Sequence, residues 1–118
     1  MEEYYVVLVT RLRRKVFAAR NVRDTTRDAL SVAAETLQLE LHDTKFLDEG
    51  VVCRISAEDD LGIDKRVAKM RLLTSANIRK EYAELWKMPS FWTKKVLVMK
   101  EKPSKENLDA FLSTIPYR

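Results

Sequence analysis

The sequence predicts an α+β domain with the ferredoxin-like split order β-α-β-β-α-β, an antiparallel sheet, and one further helix at the C-terminus. Four runs of β-branched or alternating apolar residues predict the strands, and two helical stripes separate the first strand from the second and the third from the fourth. A short turn, Asp48–Gly50, predicts that the second and third strands form a hairpin. With 118 residues, of which 46% are hydrophobic, the chain is expected to form one domain over residues 1–118.

The four predicted strands differ in how they are expected to be buried. Tyr4–Thr10 is an almost unbroken apolar run, which is typical of a strand covered on both faces. Leu39–Leu47 and Gly50–Ser56 alternate, so each should present one face to a core. Lys95–Lys100 is predicted to be the last strand, with Val96 and Val98 opposite Leu97 and Met99.

Capping residues and prolines predict the helix boundaries. Thr25 followed by Asp28 resembles a capping box, so the first helix is expected to begin near Thr25. Asp64 is expected to cap a long basic helix that runs to about Trp86. Pro103 and Ser104 should start the last helix, whose buried stripe is predicted to be Leu108, Phe111, Leu112 and Ile115.

Composition excludes several classes of protein. No apolar run approaches the roughly 20 residues of a membrane span. Glu2 and Glu3 stand where a signal peptide would carry positive charge, so a cytoplasmic protein is expected. Cys53 lies in an apolar strand and is predicted to be an inert buried thiol. His42 is the only histidine, and a role in metal binding or acid–base catalysis is not expected.

Charge is distributed unevenly along the chain. The formal net charge is +4, but acids dominate residues 24–60 and bases dominate residues 64–100. This asymmetry fits binding of a polyanion such as nucleic acid, and it also fits an ordinary solvated surface. If DNA is bound, the candidate contacts are the RLRRK run, which is too basic to be buried, and the later cations: Arg11, Arg13, Arg14, Lys15, Lys65, Arg66, Lys69, Arg71, Lys94 and Lys95.

Two further groups of residues permit two interpretations each. Glu58, Asp59, Asp60 and Asp64 carry the oxygen ligands that Mg²⁺ accepts, with Asp59 and Asp60 as the candidate ligands. Acids at a helix start also favour that N-terminus electrostatically, and we expect this second role and no metal. Phe91 and Trp92 lie beside lysines and could stack unpaired bases, although a core aromatic pair is the preferred interpretation.

Several segments resemble the single-tyrosine HUH transposases, the insertion-sequence-200-like and REP-associated tyrosine transposases. Tyr4–Phe17, YYVVLVTRLRRKVF, resembles the opening strand of that family. Met70–Leu85, MRLLTSANIRKEYAEL, is similar to its long helix, and Phe91–Thr93 is similar to the segment before its last strand. The closing helix, Glu106–Ile115, lies where the family places its catalytic tyrosine.

The resemblance implies a known chemistry. Members of the family cut and rejoin single-stranded DNA through a tyrosine that attacks a phosphodiester. Two histidines in a "DHVHLL" motif hold Mg²⁺ or Mn²⁺, and a glutamine one turn after the tyrosine completes the metal site. Members are typically dimers. Single-stranded or hairpin DNA and a second copy of the chain are therefore the partners that the resemblance implies.

The family's reactive groups are missing when its motif is placed on residues 59–64. The histidine positions then fall on Asp60 and Gly62, the tyrosine position on Phe111, and the glutamine position on Ile115. The resemblance thus implies a catalytically inactive relative that needs no cofactor and retains DNA binding. Two alternatives stay open: a structural or protein-interaction dimer without a DNA role, and an active DNA-nicking enzyme with an unusual carboxylate metal site.

Overall fold

A computed structural model describes residues 1–59, 62–82 and 90–117. Its centre is a four-stranded antiparallel sheet in the order β2-β3-β1-β4. The strands are β1 (Glu2–Thr10), β2 (Glu40–Leu47), β3 (Gly50–Ala57) and β4 (Trp92–Met99). The helices are α1 (Arg20–Thr36), α2 (Ile63–Glu81) and α3 (Lys105–Ser113). This order and the antiparallel sheet confirm the predicted α+β class with its C-terminal helix.

Helices cover both faces of the sheet, and β1 is buried between them. Val6 and Leu8 point toward α1 and α2, whereas Val7 and Val9 point toward α3. None of these four side chains has any exposed surface. The unbroken apolar run in β1 therefore has the predicted cause, because alternate residues of one strand enter two different cores. We call the two sides of the sheet the α1/α2 face and the α3 face.

An aromatic group fills the end of the core on the α1/α2 face. Phe91 and Trp92 are buried and meet edge to face, with their ring centroids 4.7 Å apart. Phe17 lies against both rings. The indole Nε1 of Trp92 donates a hydrogen bond to Oγ1 of Thr74 at 2.9 Å. These contacts confirm the preferred interpretation of Phe91 and Trp92 as a core pair, and they leave neither ring accessible to a base.

The predicted boundaries of α1 and α2 are wrong. α1 begins at Arg20, so Thr25 lies inside the helix, where its hydroxyl contacts the hydroxyl of Tyr82 at 3.0 Å. Asp64 lies in the first turn of α2, and the N-cap position is occupied by Gly62 in a left-handed conformation with φ of 67°. α2 ends at Glu81, because Tyr82 is extended; Trp86 lies outside the described residues.

The remaining boundaries follow local chemistry. Ser104 caps α3, since its hydroxyl accepts from the backbone N–H of Asn107 while the Asn107 side chain accepts from the backbone N–H of Ser104, both at 3.0 Å. β4 begins three residues before the predicted Lys95.

Cys53 is fully buried, and burial raises the pKa of its thiol to about 12, which agrees with an inert role. No helix within the described ranges is both long and apolar enough to cross a bilayer.

Gly50 permits the close approach of β1 to β3. It pairs with Val9, and a Cβ atom at residue 50 would lie 2.6 Å from the backbone oxygen of Leu8. We predict that Gly50→Ala lowers the free energy of unfolding by about 1–3 kcal/mol, because the two strands must move apart. Urea denaturation measures this change.

The matched control is Gly62→Asn. A side chain at residue 62 meets open space, and asparagine tolerates the left-handed conformation. The free energy of unfolding should change by no more than about 0.5 kcal/mol. If the two substitutions lower the free energy of unfolding equally, the close contact between β1 and β3 at Gly50 is not the cause of the loss.

Candidate nucleic-acid interface

Three of the predicted DNA contacts meet around one cavity. Arg11, Lys94 and Lys95 line a space of about 310 Å³ between the end of β1, the start of β4 and the end of α3. The hydroxyl-bearing residues Ser90, Thr93 and Thr114 share its lining. We call this group of six residues the basic cleft. It gathers cations from segments that lie more than 80 residues apart in the sequence.

The turn after β1 brings Arg11 to the basic cleft. Arg11–Arg13 form one 3₁₀ turn, in which Leu12 and Arg13 have φ values of 58° and 53°. The backbone N–H of Arg11 donates to the carbonyl of Phe91 at 2.9 Å, which fixes the turn against the start of β4. At the other side, Nζ of Lys95 donates to the carbonyl of Thr114 at 3.2 Å and links β4 to the end of α3.

Arg13 has a different environment from the other cations of the RLRRK run. Its Nε and Nη2 atoms donate to the two carboxylate oxygens of Glu49 at 2.9 and 3.2 Å, and both side chains are only 15% exposed. The guanidinium also lies 4.1 Å from the ring centroid of Tyr117. The bond to Glu49 raises the pKa of Arg13. Arg13 thus joins the turn, the β2–β3 hairpin and the C-terminal segment, while Arg14 and Lys15 remain exposed.

The cations of α2 also divide into two groups. Lys65 and Lys69 are exposed. Arg66 donates to the backbone oxygen of Asp59 and lies 3.6 Å from its carboxylate. Arg71 donates to the carbonyl of Thr93 at 3.1 Å, so it supports the strand that carries Lys94 and Lys95. Both arginines therefore stabilise the fold at positions where the sequence predicted contacts with phosphate.

The predicted carboxylate group is only partly described. Glu58 and Asp59 are exposed after β3, and Asp64 is exposed in the first turn of α2. Asp60 lies outside the described residues. Within residues 1–59, 62–82 and 90–117, no three His, Cys, Asp or Glu side chains are grouped so that they could hold one metal ion. Asp59 is engaged by Arg66.

The structure separates two positions that the predicted catalytic site would bring together. Phe111 belongs to the apolar group on the α3 face, with Val7, Val9 and Val52, and Ile115 is buried in the same group. Gly62 precedes Ile63, whose side chain packs into the core on the α1/α2 face. Phe111 thus packs on the α3 face, whereas α2, which begins directly after Gly62, packs on the α1/α2 face. Val52 is the residue of β3 in the apolar group that contains Phe111.

The basic cleft and a cavity with an acidic lining lie at opposite ends of the sheet. Because β1 and β3 are antiparallel, Thr10 and Gly50 lie at one end and Glu2 and Ala57 at the other. The basic cleft is at the first end. Acidic side chains lie at the second end, where Glu40, Glu58 and Asp59 help to line a cavity of about 650 Å³. The sequence contains both the basic and the acidic residues, but it does not show how far apart they lie, because their separation depends on strand pairing.

Comparisons with known proteins agree with this fold. A family model described as "Transposase IS200 like" matches residues 2–110. No curated protein matches the chain. A protein assigned as a transposase, from Deinococcus radiodurans R1, has a similar structure, with a TM-score of 0.86, 17% identity, and coverage of 98% of this chain and 92% of that one.

A second solved structure is a REP-associated tyrosine transposase bound to a REP hairpin. Its TM-score is 0.54 at 14% identity, and the match covers 92% of this chain and 61% of that one. At these identities the two structural matches show a common fold. The family model, by contrast, spans nearly the whole sequence, and this chain belongs to the IS200-like transposase family.

Proposed function

We propose that this domain binds single-stranded or hairpin DNA without cutting it. The observation that carries the proposal is the basic cleft, in which Arg11 meets Lys94 and Lys95 from a distant part of the chain. Membership of a transposase family supports a DNA ligand. The REP-associated relative, whose structure contains a DNA hairpin, supports the same class of ligand.

The chemistry of the basic cleft suits a phosphodiester. Guanidinium and ammonium groups supply charge-assisted donors, and the neighbouring hydroxyls can donate to the remaining phosphate oxygens. Lys94 and Lys95 are exposed, so a strand can approach them without displacing protein. The acidic end of the sheet lies away from the cleft, which removes the main electrostatic objection to DNA binding by this chain.

We further infer a different position for the family's two histidines. In "DHVHLL" they are two residues apart, and such residues lie on the same face of a strand. Val52 belongs to the same apolar group as Phe111 on the α3 face, and Gly50 is the preceding residue of β3 on that face. Gly50 and Val52, with Glu49 at the acidic position, therefore match the motif better than Asp60 and Gly62 do.

Neither placement of the motif supplies an imidazole. Val52 has no ligand atom, and a side chain at residue 50 would meet the backbone of Leu8. Phe111 has no hydroxyl with which to attack a phosphate, and Ile115 has no amide with which to bind a metal. These replacements support the absence of tyrosine-dependent cleavage, and with it the absence of a requirement for Mg²⁺ or Mn²⁺. We propose a homodimer as the assembly, in keeping with the family.

Removal of single cations should test the basic cleft. We predict that Arg11→Gln and Lys94→Gln each weaken binding of a hairpin oligonucleotide about two- to fivefold, the effect of losing an exposed ion pair. Each should also reduce the slope of log affinity against log salt by about one. Fluorescence anisotropy at several salt concentrations measures both quantities.

Lys80→Gln is the control, because Lys80 is exposed on α2 beside α1 and outside the basic cleft. It should leave the affinity unchanged. If the wild-type protein binds neither hairpin nor single-stranded DNA at low salt, the proposal fails. A dimer by light scattering would then favour the protein-interaction alternative.

Incubation with labelled DNA should test the loss of cleavage. With Mg²⁺ or Mn²⁺ present, we expect neither a shortened strand nor a protein–DNA adduct that survives denaturing electrophoresis, since no tyrosine stands at residue 111. Metal-dependent cutting that Asp59→Ala or Asp60→Ala abolishes would contradict this expectation. It would establish the carboxylate site instead.

Release of Arg13 should affect stability and binding in opposite directions. Glu49→Gln removes the charge that holds this guanidinium, so the free energy of unfolding should fall by about 1–2 kcal/mol. DNA affinity should rise, because Arg13 becomes an additional cation at the end of the sheet that carries the basic cleft. Asp48→Asn makes the same change of charge at the neighbouring exposed residue and should leave the free energy of unfolding unaltered. An equal loss of stability in Asp48→Asn would contradict the role given to the Arg13–Glu49 ion pair.

A further inference from the structure

A second cavity lies at the other end of α3. It has a volume of about 210 Å³ and lies between the α3 face of the sheet and the segment that leads into the helix. Its apolar lining comes from Tyr5 and Val52 on the sheet and from Pro103 and Leu108 on the helix side. Val7 and Val9 are completely buried beneath α3, whereas Tyr5 is partly exposed. The cavity is therefore the uncovered part of this face.

Tyr5 is the feature of this cavity that the fold does not explain. The aromatic core of the protein is built from Phe17, Phe46, Phe91 and Trp92 on the opposite face. Tyr5 makes no ring contact with any aromatic side chain in the part of the chain that the structure describes. Its strand neighbours are Arg54 and Met99. A tyrosine ring beside an open apolar space is a surface on which another planar ring can stack.

The charges around the cavity favour an anionic ligand. Asp43 is the acid that lines it, and its carboxylate is held by Arg54 at 2.7 Å. Arg54 also lies 3.3 Å from the carboxylate of Glu3. Lys45, on β2, and Lys102, before α3, line the cavity and have no ion-pair partner among the residues that the structure describes. The cavity thus combines an aromatic floor with two available ammonium groups.

We propose that this cavity, which we call the Tyr5 slot, binds one unpaired nucleotide of a DNA strand. The base stacks on Tyr5 between Val52 and Leu108, and the phosphate is bound by Lys45 and Lys102. The proposal rests on the proposed DNA-binding function and adds a second point of contact. α3 has nine residues and is about 13 Å long. Its N-terminal end adjoins the Tyr5 slot and its C-terminal end adjoins the basic cleft, so one strand can reach both.

Abasic substitution tests the Tyr5 slot directly. A set of single-stranded oligonucleotides, each with one base removed at a different position, is titrated against the wild-type protein and Tyr5→Leu. In the wild type, removal of one particular base should weaken binding about five- to a hundredfold, the range for loss of a stacked base. In Tyr5→Leu that base should no longer matter, and all positions should bind with the same reduced affinity.

The two lysines provide a separate measurement. Lys45→Gln and Lys102→Gln should each lower the salt dependence of binding by about one phosphate contact. Lys105→Gln, an exposed lysine of α3 that does not line the cavity, should not. Photo-crosslinking of wild-type protein to a strand carrying 5-iododeoxyuridine at the sensitive position should modify Tyr5, as mapped by mass spectrometry. This measurement needs no substitution and therefore does not depend on the folding of a variant.

The outcomes separate this inference from the proposed function. If DNA binds and depends on Arg11 and Lys94, but Tyr5→Leu keeps the wild-type abasic profile and the crosslink maps elsewhere, the Tyr5 slot is overturned and the proposed function stands. If no DNA binds to the wild-type protein, the proposed function and the Tyr5 slot are both overturned. A crosslink at Tyr5 together with a flat abasic profile in Tyr5→Leu supports the slot.

Discussion

Burial of β1 on both faces is the constraint on which the rest of this structure depends. Val6 to Val9 have no contact with solvent, and alternate side chains must be covered from opposite sides of the sheet. α1 and α2 cover one side, and α3 covers the other. Hydrogen bonds to β3 and β4 satisfy the backbone of the same strand, as burial requires. Removal of any layer would expose an apolar strand at the centre of the molecule.

The same strand determines where charge can lie. A chain that leaves a fully buried strand must reach solvent at its end, and the RLRRK turn does so beside the start of β4. Because β3 is antiparallel to β1, the acids that follow β3, Glu58 and Asp59, lie at the opposite end of the sheet. This arrangement brings Arg11, Lys94 and Lys95 together at one end of the sheet, although the sequence alternates between acidic and basic segments.

The position proposed for the family's catalytic site is apolar in this chain. Phe111, Val52 and Ile115 belong to one apolar group on the α3 face. This group also contains Val7 and Val9, so these residues contribute to the burial of β1. Gly50 has a structural role as well, because its lack of a side chain lets β1 and β3 approach closely. The DNA contacts that we propose lie at the two ends of α3.

The sequence alone determined the element types and their order, the burial of β1, the inert thiol at Cys53 and the cap at Ser104. These depend on local periodicity and short-range hydrogen bonds, which a sequence displays directly. It misplaced the start of α1, because Thr25 and Asp28 imitate a cap within a helix, and it treated Arg13 as a free cation. Only the tertiary structure decided that Arg13 meets Glu49, that Phe111 and Val52 share one apolar group, and that Arg11 joins Lys94 and Lys95. Those outcomes depend on strand pairing and on the face of the sheet that each residue occupies, and no local pattern encodes a partner more than 30 residues away.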